Sequence, residues 1–135
     1  MRRFLVICTF IFLSAGMQAQ HFIGLHKDDV IKLMRETYRE FYNDNSFTNK
    51  QFNYLKFSDN TGSQTWLFFL SEDDICKYHK RMVDYAYMNE VVAELNSRGM
   101  KTGTDEWEYM NMGKSYTVSL TRDKWFFTVV TRVKE

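Results

Sequence analysis

Histidines and clustered carboxylates are the residues of this chain whose types could support acid–base catalysis or metal binding. Its only histidines are His21, His26 and His79, and residues 72–74 form an acidic cluster. A metal site or a histidine-activated nucleophile needs several such groups at coordination or hydrogen-bonding distance. The spacing of the histidines does not bring such groups together, and the acidic cluster fits a hairpin turn. The sequence also has no glycine-rich phosphate loop. We therefore predict a protein that is not an enzyme and has no cofactor or metal.

The first residues, MRRFLVICTFIFLSAGMQAQ, have the basic, apolar and small-residue order of a secretory signal peptide. The apolar run is too short to span a bilayer. We expect residues 1–19 to be removed by cleavage after Ala19. A lipoprotein signal with Cys8 as the lipidated residue is the alternative, but Cys8 lies inside the apolar run. The sequence thus predicts an exported protein, periplasmic or secreted, with no membrane span in the mature chain.

The mature chain, residues 20–135, has a length that suits one exported domain. Arg2 and Arg3 leave with the signal, so 18 basic residues become 16 against 17 acidic ones, and the net charge changes from +1 to −1. This balance disfavours a nucleic-acid partner, which normally requires a basic excess. Only Cys76 remains, so no internal disulfide forms. Stability must come from side-chain packing, for which the 17% aromatic content is sufficient.

A segment of the chain occurs twice: residues 66–83, WLFFLSEDDICKYHKRMV, match residues 116–133, YTVSLTRDKWFFTVVTRV, without a gap. Each copy has an apolar run, a polar break and a second run, which predicts a hairpin. Residues 75–83 also satisfy helical spacing, so one long helix over 72–97 is an alternative. Because β-branched and aromatic residues dominate 125–133, we favour a strand in both copies.

Amphipathic patterns predict two helices. The first should run over residues 27–42, with Asp28 and Asp29 in its first turn at the positive end of the helix dipole. The second lies within 84–100, with Asp84 as its cap and Gly99 as a glycine stop. A further strand is predicted at 52–57, and the segment 106–112 echoes it, with Tyr109 in the place of Tyr54.

The chain therefore contains two copies of a helix followed by three strands, over about residues 24–84 and 85–135. We predict an α+β two-layer sandwich with an antiparallel sheet of about six strands and two helices on one face. Alternation in the strands predicts the residues that face the helices: Trp66, Phe68, Leu70, Tyr116, Val118, Leu120, Trp125, Phe127 and Val129.

The first copy differs from the second because Leu67 and Phe69, on the open face of the sheet, are also apolar. A bulge, or a loop longer by one residue, would turn Cys76, Tyr78 and Met82 toward the helices, with Cys76 buried. It would place basic residues beside the apolar ones. The predicted binding face consists of Leu67, Phe69, Lys77, His79 and Arg81. An apolar patch beside basic groups indicates an interaction surface, although an ordinary solvated sheet face remains an alternative.

The tandem layout and the helix start GLHKDDV resemble the β-lactamase inhibitor protein-like fold, which includes small lipoproteins of outer-membrane assembly and PepSY-like exported proteins of bacteria. Gly24, Asp29 and Val30 match the start of that repeat, whereas His26 stands where a hydroxyl residue is usual. The resemblance implies a protein-binding or envelope-assembly module whose partner is another envelope or extracellular protein. Binding of a small apolar ligand on the open face is the alternative, and an enzyme of unidentified class is a further one.

Overall fold

The computed structural model describes residues 21–44 and 52–135, so the predicted signal peptide lies outside the described residues. The elements, in chain order, are α1 (Lys27–Thr37), β1 (Phe41–Asn43), β2 (Tyr54–Asp59), β3 (Gln64–Leu70), β4 (Cys76–Asp84), a 3-10 turn (Tyr85–Tyr87), α2 (Met88–Arg98), β5 (Met100–Gly103), β6 (Glu106–Asn111), β7 (Lys114–Arg122) and β8 (Phe126–Val133). No described helix is both long and apolar enough to cross a bilayer.

The strands form one antiparallel sheet in the order β1-β2-β3-β4-β8-β7-β6-β5. The α+β class and the antiparallel sheet are confirmed, but the sheet has eight strands rather than about six. The two extra strands, β1 and β5, are the edges of the sheet and have three and four residues. Strands this short show too little alternation to be recognised in a sequence.

β4 is a strand, as favoured, and the alternative of a long helix over 72–97 is wrong. It pairs with β3 on one side and with β8 on the other, where His79 lies opposite Thr131. Helical spacing in this segment was misleading because Leu70 pairs with Cys76 but Phe69 pairs with Tyr78, and the extra residue between them breaks the two-residue alternation of the strand.

α1 ends at Thr37, earlier than predicted. The amide of Tyr38 still donates to the carbonyl of Met34, but Phe41 already pairs with Asp59 as part of β1. The predicted helical stripe therefore contains one residue, Phe41, that is buried through a strand instead. At the other end the N-cap is His26, whose Nδ1 accepts from the Asp28 amide at 3.2 Å.

α2 follows the 3-10 turn, which Asp84 caps by accepting from the Ala86 amide at 2.8 Å. The helix ends at Gly99, as predicted, but for a different reason. Gly99 has a φ of −137°, which any residue can adopt. A Cβ there would lie 2.7 Å from the carbonyl oxygen of Glu108, so close approach to β6 explains the glycine.

Both helices cover the same face of the sheet. Register shows this directly, because Trp66 pairs with Arg81, Arg81 with Val129 and Val129 with Leu120, so these side chains share one face. Two core clusters lie on it. The α1 cluster contains Phe22, Val30, Met34, Phe41, Leu55, Phe57, Trp66, Phe68, Leu70 and Cys76. The α2 cluster contains Val83, Val91, Leu95, Trp107, Val118, Leu120, Phe127 and Val129.

Trp125 does not belong to this core, contrary to prediction. It is 75% exposed, because β7 ends at Arg122 and β8 begins at Phe126, which leaves residues 123–125 as the connecting loop. Phe127 and Val129 are buried as predicted.

The start of the described chain is held in place by the sheet. Phe22 is only 1% exposed and its ring contacts those of Trp66 and Phe68. The amide of Gly24 donates to the carbonyl of Cys76, and the amide of Cys76 donates to the carbonyl of Leu25, both at 2.8 Å. Residues 21–26 therefore close the core between the two helices.

Candidate functional site

A β-bulge decides which residues of the first hairpin face outward. Leu70 pairs with Cys76 and Phe69 pairs with Tyr78, so Lys77 is the extra residue. Cys76 faces the helices, as predicted. Beyond the bulge, however, the alternation is the reverse of the predicted one, because a shift of one residue moves every later side chain to the other face.

Only part of the predicted binding face therefore lies on the open face of the sheet. Leu67 and Phe69 lie on the open face as predicted, and Lys77 is exposed at the bulge. The predictions for His79 and Arg81 were wrong, because both face the helices. Tyr78 and Met82, which were predicted to face the helices, lie on the open face instead, opposite Phe69 and Thr65.

The open face of the first half carries a row of aromatic rings across three strands. Phe69 stacks on Tyr78 with ring centroids 4.5 Å apart and planes at 12°, and Tyr54 lies 6.2 Å from Phe69 on the other side. We call this surface the open-face patch; its residues are Phe52, Tyr54, Lys56, Leu67, Phe69, Tyr78, Lys80 and Met82. Sequence reasoning missed Tyr54, Tyr78 and Lys80 because their orientation depends on register.

A shallow groove of about 320 Å³ runs along part of this patch. It is lined by Phe52, Tyr54, Lys56, Leu67, Phe69 and Met82. Phe52 is strongly exposed although it is a large aromatic residue. Tyr54, Leu67, Phe69 and Met82 are half-buried, and together with Phe52 they form a contiguous apolar surface of the kind that is typical of interaction sites.

Two cations lie over the aromatic rings of the open face. The Nζ atom of Lys80 is 5.6 Å from the centroid of Phe69, and Cζ of Arg132, from β8, is 5.0 Å from that of Tyr78. Neither Lys80 nor Arg132 forms an ion pair with any residue that the structure describes. Cation–π contacts orient the two charges but do not neutralise them, so the patch is apolar with a basic margin.

His79 is buried on the opposite face, with 8% of its surface exposed. Its ring lies 5.7, 5.5 and 5.7 Å from those of Phe22, Trp66 and Phe68. Desolvation by these neighbours, followed by the positive charges of Arg98 and the other nearby cations, lowers the pKa of His79 to about 3. His79 is therefore neutral at physiological pH, which is why an aromatic core tolerates it.

Arg81 is held on the helix face by a polar network. Its guanidinium lies 5.1 Å from the Trp66 ring and donates from Nε and Nη2 to Gln64 Oε1, at 3.2 and 2.7 Å. Its Nη1 donates to Glu94 of α2 at 3.2 Å, and Glu94 also accepts from Arg98 at 3.4 Å. The network connects β4 to α2 and explains why a charged residue faces inward.

Cys76 and His21 also belong to reactive residue types; Cys76 is buried and His21 is half-buried. Burial raises the pKa of the Cys76 thiol to about 12, so it is protonated at neutral pH and is a poor nucleophile. His21 contacts the Tyr109 hydroxyl at 3.2 Å, and burial lowers its pKa. Within residues 21–44 and 52–135 no group of three or more His, Cys, Asp or Glu could hold a metal ion.

Comparison of the chain with protein-family models, with curated proteins and with solved structures found no match to any of them. Function is therefore inferred from the open-face patch and from the polar groups beneath α2.

Proposed function

We propose that this protein is a non-catalytic binding module, exported to the periplasm or outside the cell, that recognises another envelope or extracellular protein through the open-face patch. One observation carries the proposal: β3 of the first half has two apolar side chains on the open face where β7 of the second half has hydroxyl residues. Leu67 and Phe69 correspond to Thr117 and Ser119 in the sequence repeat. The core needs neither side chain, because both point away from the helices.

Architecture agrees with such a role. We assign the chain to a two-layer sandwich of two tandem repeats, similar to the β-lactamase inhibitor protein-like fold. The strand order supports this assignment, since it is symmetric about the β4–β8 pair, and each half has one helix. A sheet that is covered on one face only leaves a broad, rigid surface on the other face for a partner.

The dimensions of the patch favour a macromolecular partner over a small ligand. Its groove of about 320 Å³ is open and lies at the lower end of small-molecule pockets. Stacked rings such as Phe69 and Tyr78 are already ordered, so little side-chain entropy is lost on binding. Rigid aromatic anchors of this kind contribute most of the energy in protein interfaces.

Charge specifies the chemistry of the partner. Apart from Asp84 at the end of β4, the open-face positions of β2, β3 and β4 have no carboxylate: Tyr54, Lys56, Ser58, Thr65, Leu67, Phe69, Tyr78, Lys80 and Met82. Acidic residues on the same face, Glu106 and Glu108, lie in the second half. We therefore expect a partner segment with carboxylates next to apolar side chains, which would complement Lys80 and Arg132.

Crosslinking in the native host tests the proposal. The doubly substituted Leu67→Asp, Phe69→Asp protein should lose its crosslinked partner, with affinity reduced roughly 30-fold or more, the effect of losing about 2 kcal/mol at a hot spot. Thr117→Asp with Ser119→Asp is the matched control, because it adds the same charges to the corresponding positions of the second half. The control should retain the partner.

Identical crosslinks from a folded open-face variant would refute binding through this patch. Native mass spectrometry distinguishes the small-ligand alternative: a bound apolar molecule that is lost in the open-face variant, with no protein partner, would replace the proposal with ligand binding.

A further inference from the structure

A cavity lies beneath α2, on the face of the sheet opposite the open-face patch. Its volume is about 30 Å³, and its walls come from the centre of the sheet and from α2. The residues that line it include Trp66, His79, Arg81, Glu94, Arg98 and Thr131. A water molecule needs roughly 10–15 Å³ of such space, so the cavity can hold an occupant larger than one water.

Two of the residues that line it have a buried polar atom without a hydrogen-bond partner among the described residues: Nε1 of Trp66 and Nδ1 of His79. Trp66 is 4% exposed, so its indole N–H cannot turn to bulk water. An indole nitrogen only donates, and leaving it unpaired in a protein interior is costly. The occupant must therefore accept a hydrogen bond.

The charges around the cavity indicate that its occupant is negatively charged. Arg81 and Arg98 both line it, whereas Glu94 is the only carboxylate among the described residues that does, and both arginines already pair with that carboxylate. Arg98 uses only Nη1 in this pair, and its other nitrogens have no hydrogen-bond partner among the described residues. Two cations against one carboxylate leave an excess positive charge.

His79 reports the same positive potential. After desolvation, the largest influence that lowers its pKa is the charge of Arg98, and Arg81 acts in the same direction. Burial is the first reason why this wall group is neutral, and the neighbouring arginines act in the same direction, so the cavity disfavours a cationic occupant.

We propose that this cavity is a binding site for a small monovalent anion of about the size of chloride. The anion would accept from the Trp66 indole N–H and would balance the excess charge of Arg81 and Arg98. It would connect β3 and β4 to α2 and so stabilise the position of that helix. The site does not depend on the open-face patch, because no open-face residue lines it.

A crystallographic experiment with sodium bromide identifies the occupant directly. An anomalous peak should appear in the cavity of the wild-type protein, within hydrogen-bonding distance of Trp66 Nε1. In solution, chloride should raise the unfolding temperature above that in sodium gluconate of equal ionic strength, because gluconate is too large to enter.

Substitution of the donor tests the assignment of residues. Trp66→Phe keeps an aromatic ring but removes the N–H, and it should weaken the apparent chloride affinity about tenfold or more, as expected for a hydrogen bond to a charged group. Trp107→Phe is the matched control: Trp107 also lines the cavity, but its N–H already donates to Asn96 Oδ1 at 2.8 Å. This variant should keep the chloride response.

Arg98→Gln provides a second variant if Trp66→Phe does not fold, and it should also lose the response because the excess positive charge is gone. Water without an anomalous peak in the cavity would overturn the proposal. A bromide peak without chloride-specific stabilisation in solution would overturn it too, since binding would then occur at crystal concentrations only. An unchanged chloride response in folded Trp66→Phe or Arg98→Gln would refute the site as assigned.

Discussion

The two hairpins that meet at the centre of the sheet, β3–β4 and β7–β8, occupy equivalent positions but differ on the face toward the helices. His79 and Arg81 of the first correspond in the sequence repeat to Val129 and Thr131 of the second. They are also direct partners across the β4–β8 pair, where His79 lies opposite Thr131 and Arg81 opposite Val129. The histidine and the arginine beneath the helices therefore come from the first hairpin.

On the open face the first hairpin is the more apolar of the two. The first hairpin exposes Leu67 and Phe69, whereas the second has Thr117 and Ser119 at the corresponding positions. In the second hairpin, β7 follows the usual rule of an apolar inner face and a polar outer face, and β8 adds one apolar residue, Val130, to the open face. The first departs from it on both faces at once. Departures of this kind cost stability and are expected where a surface or cavity has a function.

The largest effect on stability is expected from substituting one of two neighbouring phenylalanines of β3. Phe68 is fully buried beneath α1, so Phe68→Ala should lower the free energy of unfolding by about 3–5 kcal/mol. Phe69→Ala, on the open face, should lower it by about 1 kcal/mol. Urea unfolding of both variants measures the difference, and equal losses would mean that the open face is also part of a core.

A second test concerns the pH dependence of stability. The pKa of His79 is about 3 in the folded state, against 6.5 when unperturbed. Between these values the unfolded state binds the additional proton, so stability is complete above pH 6.5 and decreases as the pH falls. The free energy of unfolding should fall by roughly 1.4 kcal/mol per pH unit in this range, which amounts to a loss of about 3 kcal/mol at pH 4.

His79→Val introduces the residue of the second hairpin and should remove this contribution. Urea unfolding from pH 7 to pH 4 should give a shallower decline for the variant than for the wild type. Some decline remains, because burial also lowers the pKa of His21 and acts in the same direction. Parallel curves for the two proteins would show that His79 is not buried in its neutral form.

The smallest effect is expected at the C-terminal ends of the two helices, which differ in their contacts with the sheet. α1 ends at Thr37 with Tyr38 as its C-cap, whereas α2 ends at Arg98 with Gly99 as its C-cap, against the backbone of β6. Gly99→Ala should destabilise the protein by about 1–3 kcal/mol, because backbone has to move. In Gly103→Ala the nearest atom, at 3.3 Å, is Oε2 of the flexible Glu106 side chain, so the loss should be smaller. Thermal unfolding compares them, and the reverse order would contradict the observed approach of α2 to β6.

Sequence reasoning recognised the strands and the inner row of the second copy well. Tyr116, Val118 and Leu120 alternate with polar residues, so one face is unambiguous. It was less successful for β2 and β6, where residue similarity placed Tyr109 on Tyr54. In the sheet Phe57, which pairs with Trp66, occupies the place of Tyr109, which pairs with Tyr116. Aromatic residues on both faces of β2 hid this shift.

The candidate surface was half predicted for the same reason. Leu67 and Phe69 were found because an uninterrupted apolar run is visible in the chain. Tyr78 and Lys80 were missed because their orientation depends on the bulge at Lys77.

Local pattern by itself determined that this chain forms antiparallel hairpins with two one-sided helices, because apolar periodicity specifies an element and its buried side. Only the tertiary structure decided which face His79 and Arg81 occupy. The backbone of Cys76 hydrogen-bonds to Gly24 and Leu25, far away in the chain, and the bulge follows immediately. Side chains in a strand alternate with a period of two, so the bulge sets the face of every later residue in β4.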